Sequence, residues 1–208
     1  MITATYLKHM GDDLDVVNAA KVSFAKESKE FDDNSVRLIK YLAKHKHMSP
    51  FGHCFARFHV KAPIFVARQL VKHKFLRWNE VSRRYVDDEP EFYEPKEWRG
   101  RSADKKQGSE GVVNVELALL AAHATALEQY EELLEAGVAP EQARMVLPQS
   151  TMTEWWWSGS LDAFGDMCNL RCKPDTQLET RLVANQICDK MRELFPVSWQ
   201  ALRGLLTP

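Results

Sequence analysis

The sequence predicts an α+β fold, in which a small, mostly antiparallel sheet is packed by several helices. Strand-like and helix-like patterns are mixed along the chain without the regular β-α-β alternation of a doubly wound sheet. The two longest helical patterns lie near 109–136 and 176–194, and no internal repeat or linker divides the 208 residues. Because this length fits one domain of ordinary size, we expect residues 1–208 to form a single domain.

The N-terminal part contains one predicted strand and two predicted helices. Residues 2–7 alternate well enough for a strand. Gly11 then introduces a turn, and Asp12 or Asp13 can cap a helix that runs to about residue 21. A second helix is predicted from the N-cap candidates at 32–34 to the basic residues at 44–47, because apolar residues recur between them at helical spacing.

A strand over 54–60 and a short helix follow. Pro63 stops the strand and suits the first turn of the helix. Apolar residues at 64–67 and 70–71 form one face of this helix. The opposite face carries four polar side chains that we expect to line one wall of a site: Arg68, Gln69, Lys72 and His73.

The middle of the chain contains a polar segment and the longest predicted helix. Residues 99–108 are polar and end at a glycine, so we expect them to be mobile, as a lid or as an ordinary loop. Ser109 is the expected N-cap of the long helix, whose apolar stripe continues until Gly137. Pro140 begins a short helix that ends before Pro148.

The last third of the chain is predicted to hold one strand and two helices. Residues 151–157 include three consecutive tryptophans, which favour a strand in the core over a platform for stacking bases. Residues 158–160 are expected to turn into a helix over 161–171. After Pro174, a long helix covers 176–194.

Composition excludes several classes of protein. No run of about 18 apolar residues exists, and the N-terminus lacks a basic start followed by an apolar segment, so we expect a cytoplasmic protein without membrane contact. A formal net charge of -1 argues against a general nucleic-acid binder. The four cysteines are too few for a disulfide scaffold. Cys168 and Cys172 are one helical turn apart, which favours neighbouring buried thiols over a metal site.

The local charge is far more polarised than the net charge. The segment 68–85 carries six Lys or Arg residues against one acid, and the segment 86–97 carries six acids against one lysine. Concentrated cations attract a concentrated anion, and guanidinium groups match phosphate oxygens. The segment 68–85 therefore has two interpretations: it binds a phosphate-bearing ligand, or it is a solvated basic turn. A non-catalytic nucleotide-binding or RNA-binding protein also remains possible on charge alone.

The sequence lacks the motifs of several other common binding and active sites. No glycine-rich dinucleotide or Walker pattern exists, so side chains would have to bind any phosphate. His45, His47 and His53 lack the carboxylates of a typical metal site, and we predict no metal. A serine-histidine-acid triad lacks its G-x-S-x-G elbow, and Ser82 lies among cations, which favours hydrogen bonding over nucleophilic attack.

Four ordered blocks of the sequence carry a family resemblance. Lys72-His73-Lys74, seven further residues and Ser82 resemble the R-H-R-x7-S signature of the flavin-dependent thymidylate synthases. The blocks at 63–69, 79–85, 143–148 and 169–171 match the same family around this signature and in the same order. The resemblance extends from about residue 19 to 202. Lysine replaces arginine at both ends of the triplet, which preserves the charge but removes the bidentate fork.

This resemblance implies a specific reaction. The family converts dUMP to dTMP, with 5,10-methylenetetrahydrofolate as the one-carbon donor, FAD as the hydride carrier and NADPH as the reductant. It implies a homotetramer whose sites are shared between subunits, and a pyrimidine that is not attacked by an enzymic cysteine.

The resemblance also implies the residues of the site. Arg171 is the expected catalytic residue, where its guanidinium stabilises the negative charge that develops on the uracil. The residues expected to surround dUMP are Gln69, Lys72, Glu80, Ser82, Arg83, Arg84, Arg144 and Arg171. Those expected to bind FAD are His47, Ser49, Lys72, His73, Lys74, Glu80 and Ser160.

Overall fold

The computed structural model describes residues 1–103, 108–115 and 119–205. The strands are β1 (Thr3–Met10), β2 (Phe55–Pro63), β3 (Leu76–Glu80), β4 (Arg99–Arg101), β5 (Ser109–Val112) and β6 (Met152–Ser160). The helices are α1 (Asp13–Lys21), α2 (Asp33–Lys44), α3 (Ile64–Leu70), α4 (Leu119–Glu135), α5 (Pro140–Ala143), α6 (Leu161–Arg171), α7 (Leu178–Leu194) and α8 (Pro196–Leu202). Short 3-10 turns cover Val22–Phe24, Ser49–His53 and Arg144–Val146.

The main sheet is antiparallel throughout, with the strand order β1-β2-β6-β3. Strand β6 lies in the middle and pairs along its whole length with β2, from Met152 opposite Pro63 to Ser160 opposite Phe55. A separate two-stranded ribbon joins β4 to β5. A small antiparallel sheet packed by helices confirms the α+β prediction.

The tryptophans of β6 show why this strand is central. Successive strand residues point to opposite faces, and Trp155 and Trp157 are almost fully buried whereas Trp156 is 53% exposed. The ring of Trp155 stacks on Trp78 of β3 with centroids 4.2 Å apart, and Trp157 meets Phe164 of α6 edge to face. The strand prediction is confirmed, and the core prediction holds for Trp155 and Trp157 but not for Trp156.

Two helix starts are capped as the sequence predicts. The carboxylate of Asp12 accepts hydrogen bonds from the backbone N–H groups of Leu14 and Asp15, and the Asp15 carboxylate accepts from the N–H of Asp12. Asp32 caps α2 by accepting from the N–H of Ser35. Asp13 has a different role, because its two carboxylate oxygens accept from the N–H groups of Val197 and Ser198 at the start of α8, at 2.8 and 2.9 Å.

The prediction for the start of the longest helix was wrong. Ser109 begins strand β5 instead of capping a helix, and α4 begins at Leu119. The β-branched Val112 pairs with Arg99, and such residues favour a strand even though the stripe of the following helix suggests an earlier start. Gly137 does follow the end of α4, with a φ of +82° that suits a C-terminal glycine. The segment predicted to be mobile is partly strand β4, and residues 104–107 lie outside the described residues.

The turn predicted at 158–160 was also wrong, because these residues complete β6. Gly159 lies opposite Leu76 of β3, where a Cβ atom would collide with the Leu76 side chain and lie 3.2 Å from the carbonyl oxygen of Phe75. The glycine therefore permits close strand pairing and does not mark a turn.

Within the described ranges, no helix is both long and apolar enough to cross a membrane.

Candidate active site

Helices α3 and α6 bring a histidine, a glutamine and an arginine together. His73 lies in the turn after α3, Gln69 in the last turn of α3, and Arg171 at the C-terminal end of α6. The Nε of Arg171 donates to the Nε2 of His73 at 3.0 Å, and its Nη2 donates to the carbonyl oxygen of Gln69 at 3.4 Å. The arginine from the second half of the chain therefore contacts the basic segment of the first half directly.

The side chain of Gln69 is held by the first turn of α7. The hydroxyl of Thr180 donates to the Oε1 of Gln69 at 3.2 Å, and the Nε2 of Gln69 donates to the Oε1 of Gln177. Both ends of the amide are thus engaged, which orients it from α3 toward α7. Helices α3, α6 and α7 form one hydrogen-bonded unit around Arg171.

The contact with Arg171 defines the protonation state of His73. Arginine has only donors, so the Nε2 of His73 must accept and the ring proton must reside on Nδ1. Burial, followed by the positive charge of Arg171, lowers the pKa of His73 from its usual 6.5 to about 4. His73 is therefore neutral near pH 7 and positions Arg171 without adding a second charge.

The lowered pKa of His73 should make the free energy of unfolding depend on pH. Between pH 6.5 and 4 the unfolded chain binds a proton at His73 that the folded chain does not, so the free energy of unfolding should fall as the pH falls through this window. The slope from this group should be less than about 1.4 kcal/mol per pH unit. Urea unfolding of the wild type and His73→Gln from pH 4 to 7 checks it, because the variant should lose this component. Parallel profiles for the two proteins would contradict the assignment.

Arg171 and Gln69 line a cleft of about 650 Å³ that extends to the β4–β5 ribbon. On the other wall, Glu179 of α7 is buried and accepts from the Nη2 of Arg99 at 2.6 Å and from the hydroxyl of Tyr93 at 3.4 Å. Although burial raises it, the pKa of Glu179 is lowered overall because Arg99 donates to the carboxylate. Its second oxygen, Oε2, has no hydrogen-bond partner among the described residues. The cleft thus has a buried carboxylate with one unused acceptor.

A second cleft of about 410 Å³ contains other predicted nucleotide residues. Glu80 at the end of β3, Arg83 and Arg144 all line it. Glu80 is held by two donors, the hydroxyl of Thr153 at 2.8 Å and the Nε1 of Trp78 at 3.0 Å. The structure therefore brings Arg144 to the basic segment, although the two are separated by about sixty residues of chain.

Ser82 is held by its neighbour. The backbone N–H and the Nε of Arg84 both lie 3.3 Å from the Ser82 hydroxyl oxygen, which accepts from them. Arg83 donates to the carbonyl oxygen of Asp88, so the acidic segment 86–97 folds back on the basic one. Ser82 contacts no histidine or carboxylate among the described residues, and this supports the expectation that it binds rather than attacks.

The remaining predicted residues lie outside these two clefts. Ser49 begins a 3-10 turn that packs against α6, and Ser160 occupies the N-cap position of α6. Lys72 and Lys74 are exposed, and in the part of the chain that the structure describes neither has a hydrogen bond or ion pair. His47 is exposed beside Tyr41, with ring centroids 5.8 Å apart. Within a single chain, the predicted site residues therefore lie on separate surfaces.

Sequence reasoning missed four residues that hold or line the Arg171 cleft: Arg99, Gln177, Glu179 and Thr180. The last three lie at the N-terminal end of α7, where Gln177 is the cap and Glu179 and Thr180 are buried. A glutamate and a threonine on the inward face of the first turn of a long helix could have indicated a polar site, because such residues are rarely buried without hydrogen-bond partners. Nothing in their spacing pointed to Gln69.

The arrangement can do two things chemically. A neutral imidazole holds a guanidinium at the edge of a cleft, where it can stabilise an oxygen that becomes negative during a reaction. Separate exposed cations can neutralise phosphate groups.

Comparisons with known proteins agree with this chemistry. The family model described as thymidylate synthase complementing protein matches residues 5–197. A flavin-dependent thymidylate synthase of Thermus thermophilus is 40% identical over 220 residues, covering 96% of this chain and 81% of that protein. One from Thermosipho africanus is 39% identical over 200 residues, covering 92% and 86%. The solved UMP/dUMP methylase PolB from Streptomyces cacaoi, bound with 5-Br dUMP, has a TM-score of 0.88 and 32% identity, and the match covers 100% of this chain and 98% of that one.

Proposed function

The chain belongs to the thymidylate synthase complementing protein family, the flavin-dependent thymidylate synthases, and from this premise we propose that it methylates dUMP to dTMP. In the proposed reaction, 5,10-methylenetetrahydrofolate donates the carbon, FAD carries the hydride and NADPH is the reductant. Residues 1–208 act as one domain. Because the family consists of enzymes, the alternative of a non-catalytic nucleotide-binding or RNA-binding protein is set aside.

The contact between His73 and Arg171 is the observation that carries this proposal. The uracil C5 must form a bond to the methylene carbon and lose its proton, and the carbonyl oxygens of the ring become more negative as C5 attacks. A guanidinium that is already oriented stabilises this charge without reorganising. Arg171 is oriented by two hydrogen bonds and is partly buried, which strengthens its electrostatic effect.

The nucleotide is proposed to bind between the Arg171 unit and the cleft of Glu80. Gln69 and Glu80 are both held by two hydrogen-bond partners, which suits residues that orient a base or a sugar. Ser82, Arg83, Arg84 and Arg144 supply hydroxyl and guanidinium donors for the phosphate, and Lys72 adds a positive charge that has no ion pair among the described residues.

The residues proposed for FAD have the chemistry that this cofactor needs. Its two linking phosphates require cations, and Lys72 and Lys74 are exposed and have no ion pair within the described residues. His47, Ser49, His73, Glu80 and Ser160 are the proposed polar contacts. Bound flavin supplies the hydride that completes the methyl group. With lysine in place of arginine in the triplet, the cation contacts become point charges rather than bidentate pairs.

We propose a homotetramer with shared sites, because one chain alone keeps the proposed ligand-binding residues on separate surfaces. Two inactive variants, one altered at Lys72 and one at Arg171, should then regain activity after subunit exchange. If each site takes these residues from different subunits, random equal mixing should restore about one quarter of the wild-type rate. Mixing each variant with itself is the control. Absence of recovery, with exchange verified by mass, would argue for self-contained sites.

The central test is dTMP formation from dUMP by the purified chain, with FAD, NADPH and methylenetetrahydrofolate omitted in turn. Each omission should abolish product, provided that any bound flavin is first removed from the protein used without FAD. UMP should be tested beside dUMP, since the structurally similar PolB is described as acting on both UMP and dUMP. Formation of ribothymidine monophosphate at a comparable rate would change the proposed substrate, and no product with all components present would refute the proposal.

A further inference from the structure

Three of the four cysteines meet between α6 and α7, and one of them, Cys172, directly follows Arg171. Cys168 lies in α6, Cys172 directly follows it, and Cys188 lies in α7. Their Sγ atoms all lie within 4.8 Å of one another, and they form the only such group of potential metal ligands in the described ranges. The fourth cysteine, Cys54, lies elsewhere and donates to the carbonyl oxygen of Asp12 at 3.5 Å.

The spacing of the three sulfur atoms suits a thiophilic cation. Zinc–sulfur bonds of about 2.3 Å place tetrahedral sulfur ligands about 3.8 Å apart. The observed limit of 4.8 Å is wider by an amount that small side-chain rotations can close. The three ligands come from two helices whose backbones are already packed against each other, so no large movement is needed.

Two N–H donors face the Sγ of Cys188. The Nε1 of Trp199 lies 3.4 Å from the Sγ of Cys188 and donates to it, as does the Nη2 of Arg192 at 4.0 Å. Arg203 lies beside the end of α6, where its Nη1 donates to the Oδ1 of Asn169 at 2.9 Å. The buried Nε of Arg203 has no acceptor among the described residues. Three thiolates around a divalent cation carry one net negative charge, which a neighbouring arginine can balance.

We propose that Cys168, Cys172 and Cys188 bind one thiophilic divalent cation of the Zn²⁺ class. Thiolate ligands select such metals, and Cys172 is the only one of the three that is partly exposed, so entry and a fourth, water-bound position lie on its side. The cation links α6 to α7, the two helices that carry Arg171 and the residues that hold Gln69. Its role is structural, and it takes no part in the methylation.

Cobalt(II) is the probe, because it reports thiolate ligands by visible absorption. The full-length protein, reduced and kept anaerobic, should develop thiolate-to-cobalt and tetrahedral d–d bands that saturate at one Co²⁺ per chain, and Zn²⁺ should remove them. Cys172→Ser and Cys188→Ser should bind Co²⁺ about tenfold or more weakly. Cys54→Ser is the matched control for loss of a buried cysteine outside the cluster and should titrate like the wild type.

Thermal unfolding with added Zn²⁺ is a second measurement, which keeps the proposal testable if one of the variants folds poorly. Added Zn²⁺ should raise the Tm of the wild type and of Cys54→Ser, but not that of Cys172→Ser, whose altered side chain is partly exposed. The proposal is overturned if the reduced, folded wild type shows no thiolate–cobalt bands, or if Cys172→Ser retains the wild-type titration and Zn²⁺ response.

Discussion

Replacing Arg171 by alanine should lower kcat for dTMP formation by about 10²–10³-fold, the effect typical of removing one preorganised donor to a developing oxyanion. The side chain is held by His73 and by the backbone of Gln69, so its loss removes a donor that needs no reorganisation. Flavin should remain bound, since the proposed cations for its phosphates are elsewhere. Steady-state kinetics with dUMP, together with the visible flavin spectrum of the same preparation, measure both quantities.

Two companion variants make this result specific. Arg171→Lys keeps the charge but cannot donate to His73 and to the Gln69 carbonyl with the same planar fork, so most of the loss should remain. Arg37→Ala removes an exposed arginine of α2 and should leave kcat unchanged. If Arg171→Ala turns over at the wild-type rate, the catalytic role assigned to this residue is wrong.

Replacing Trp157 by alanine should lower the free energy of unfolding by about 3–5 kcal/mol. The indole is almost fully buried in the central strand and contacts Trp78, Trp155 and Phe164, so truncation leaves a large cavity between the sheet and α6. Chemical unfolding of the folded variant, or its loss from the soluble fraction, reports the effect.

Trp156 provides the matched control within the same strand. It is half exposed, and the guanidinium of Arg57 lies 5.1 Å from its ring centroid. Trp156→Ala should cost less than about 1 kcal/mol, because only surface packing and an exposed cation–π contact are removed. Equal destabilisation by the two substitutions would show that the burial pattern of β6 does not determine its contribution.

Local patterns predicted most helices but not every strand. Asp12 and Asp32 were recognisable caps, and Leu161–Arg171 was predicted with its observed bounds. Strand β3 was missed because the sequence at 76–80 alternates weakly, and its pairing with β6 depends on distant Gly159. Ser109 was misassigned because its strand is short and its partner is Arg101, so the pairing is tertiary information.

The site was also predictable only in part. Family motifs predicted Arg171 and His73 as site residues, but their direct contact joins positions 98 residues apart and follows only from the packing of α3 and α6 against α7. Glu179 and Thr180 belong to no motif and could not be placed. The sequence paired Cys168 with Cys172 through helical spacing, whereas Cys188 joins them only because α7 lies beside α6.

The central position of β6 has a consequence for biosynthesis. When a nascent chain has been translated only to about residue 150, β1 and β2 can form a two-stranded antiparallel pair but β3 has no strand to pair with. An isolated pair of strands is at best marginally stable in water. The backbone edge of β2 that pairs with β6 therefore stays open while residues 64–151 are translated, and chaperones that shield exposed β edges can act during this interval.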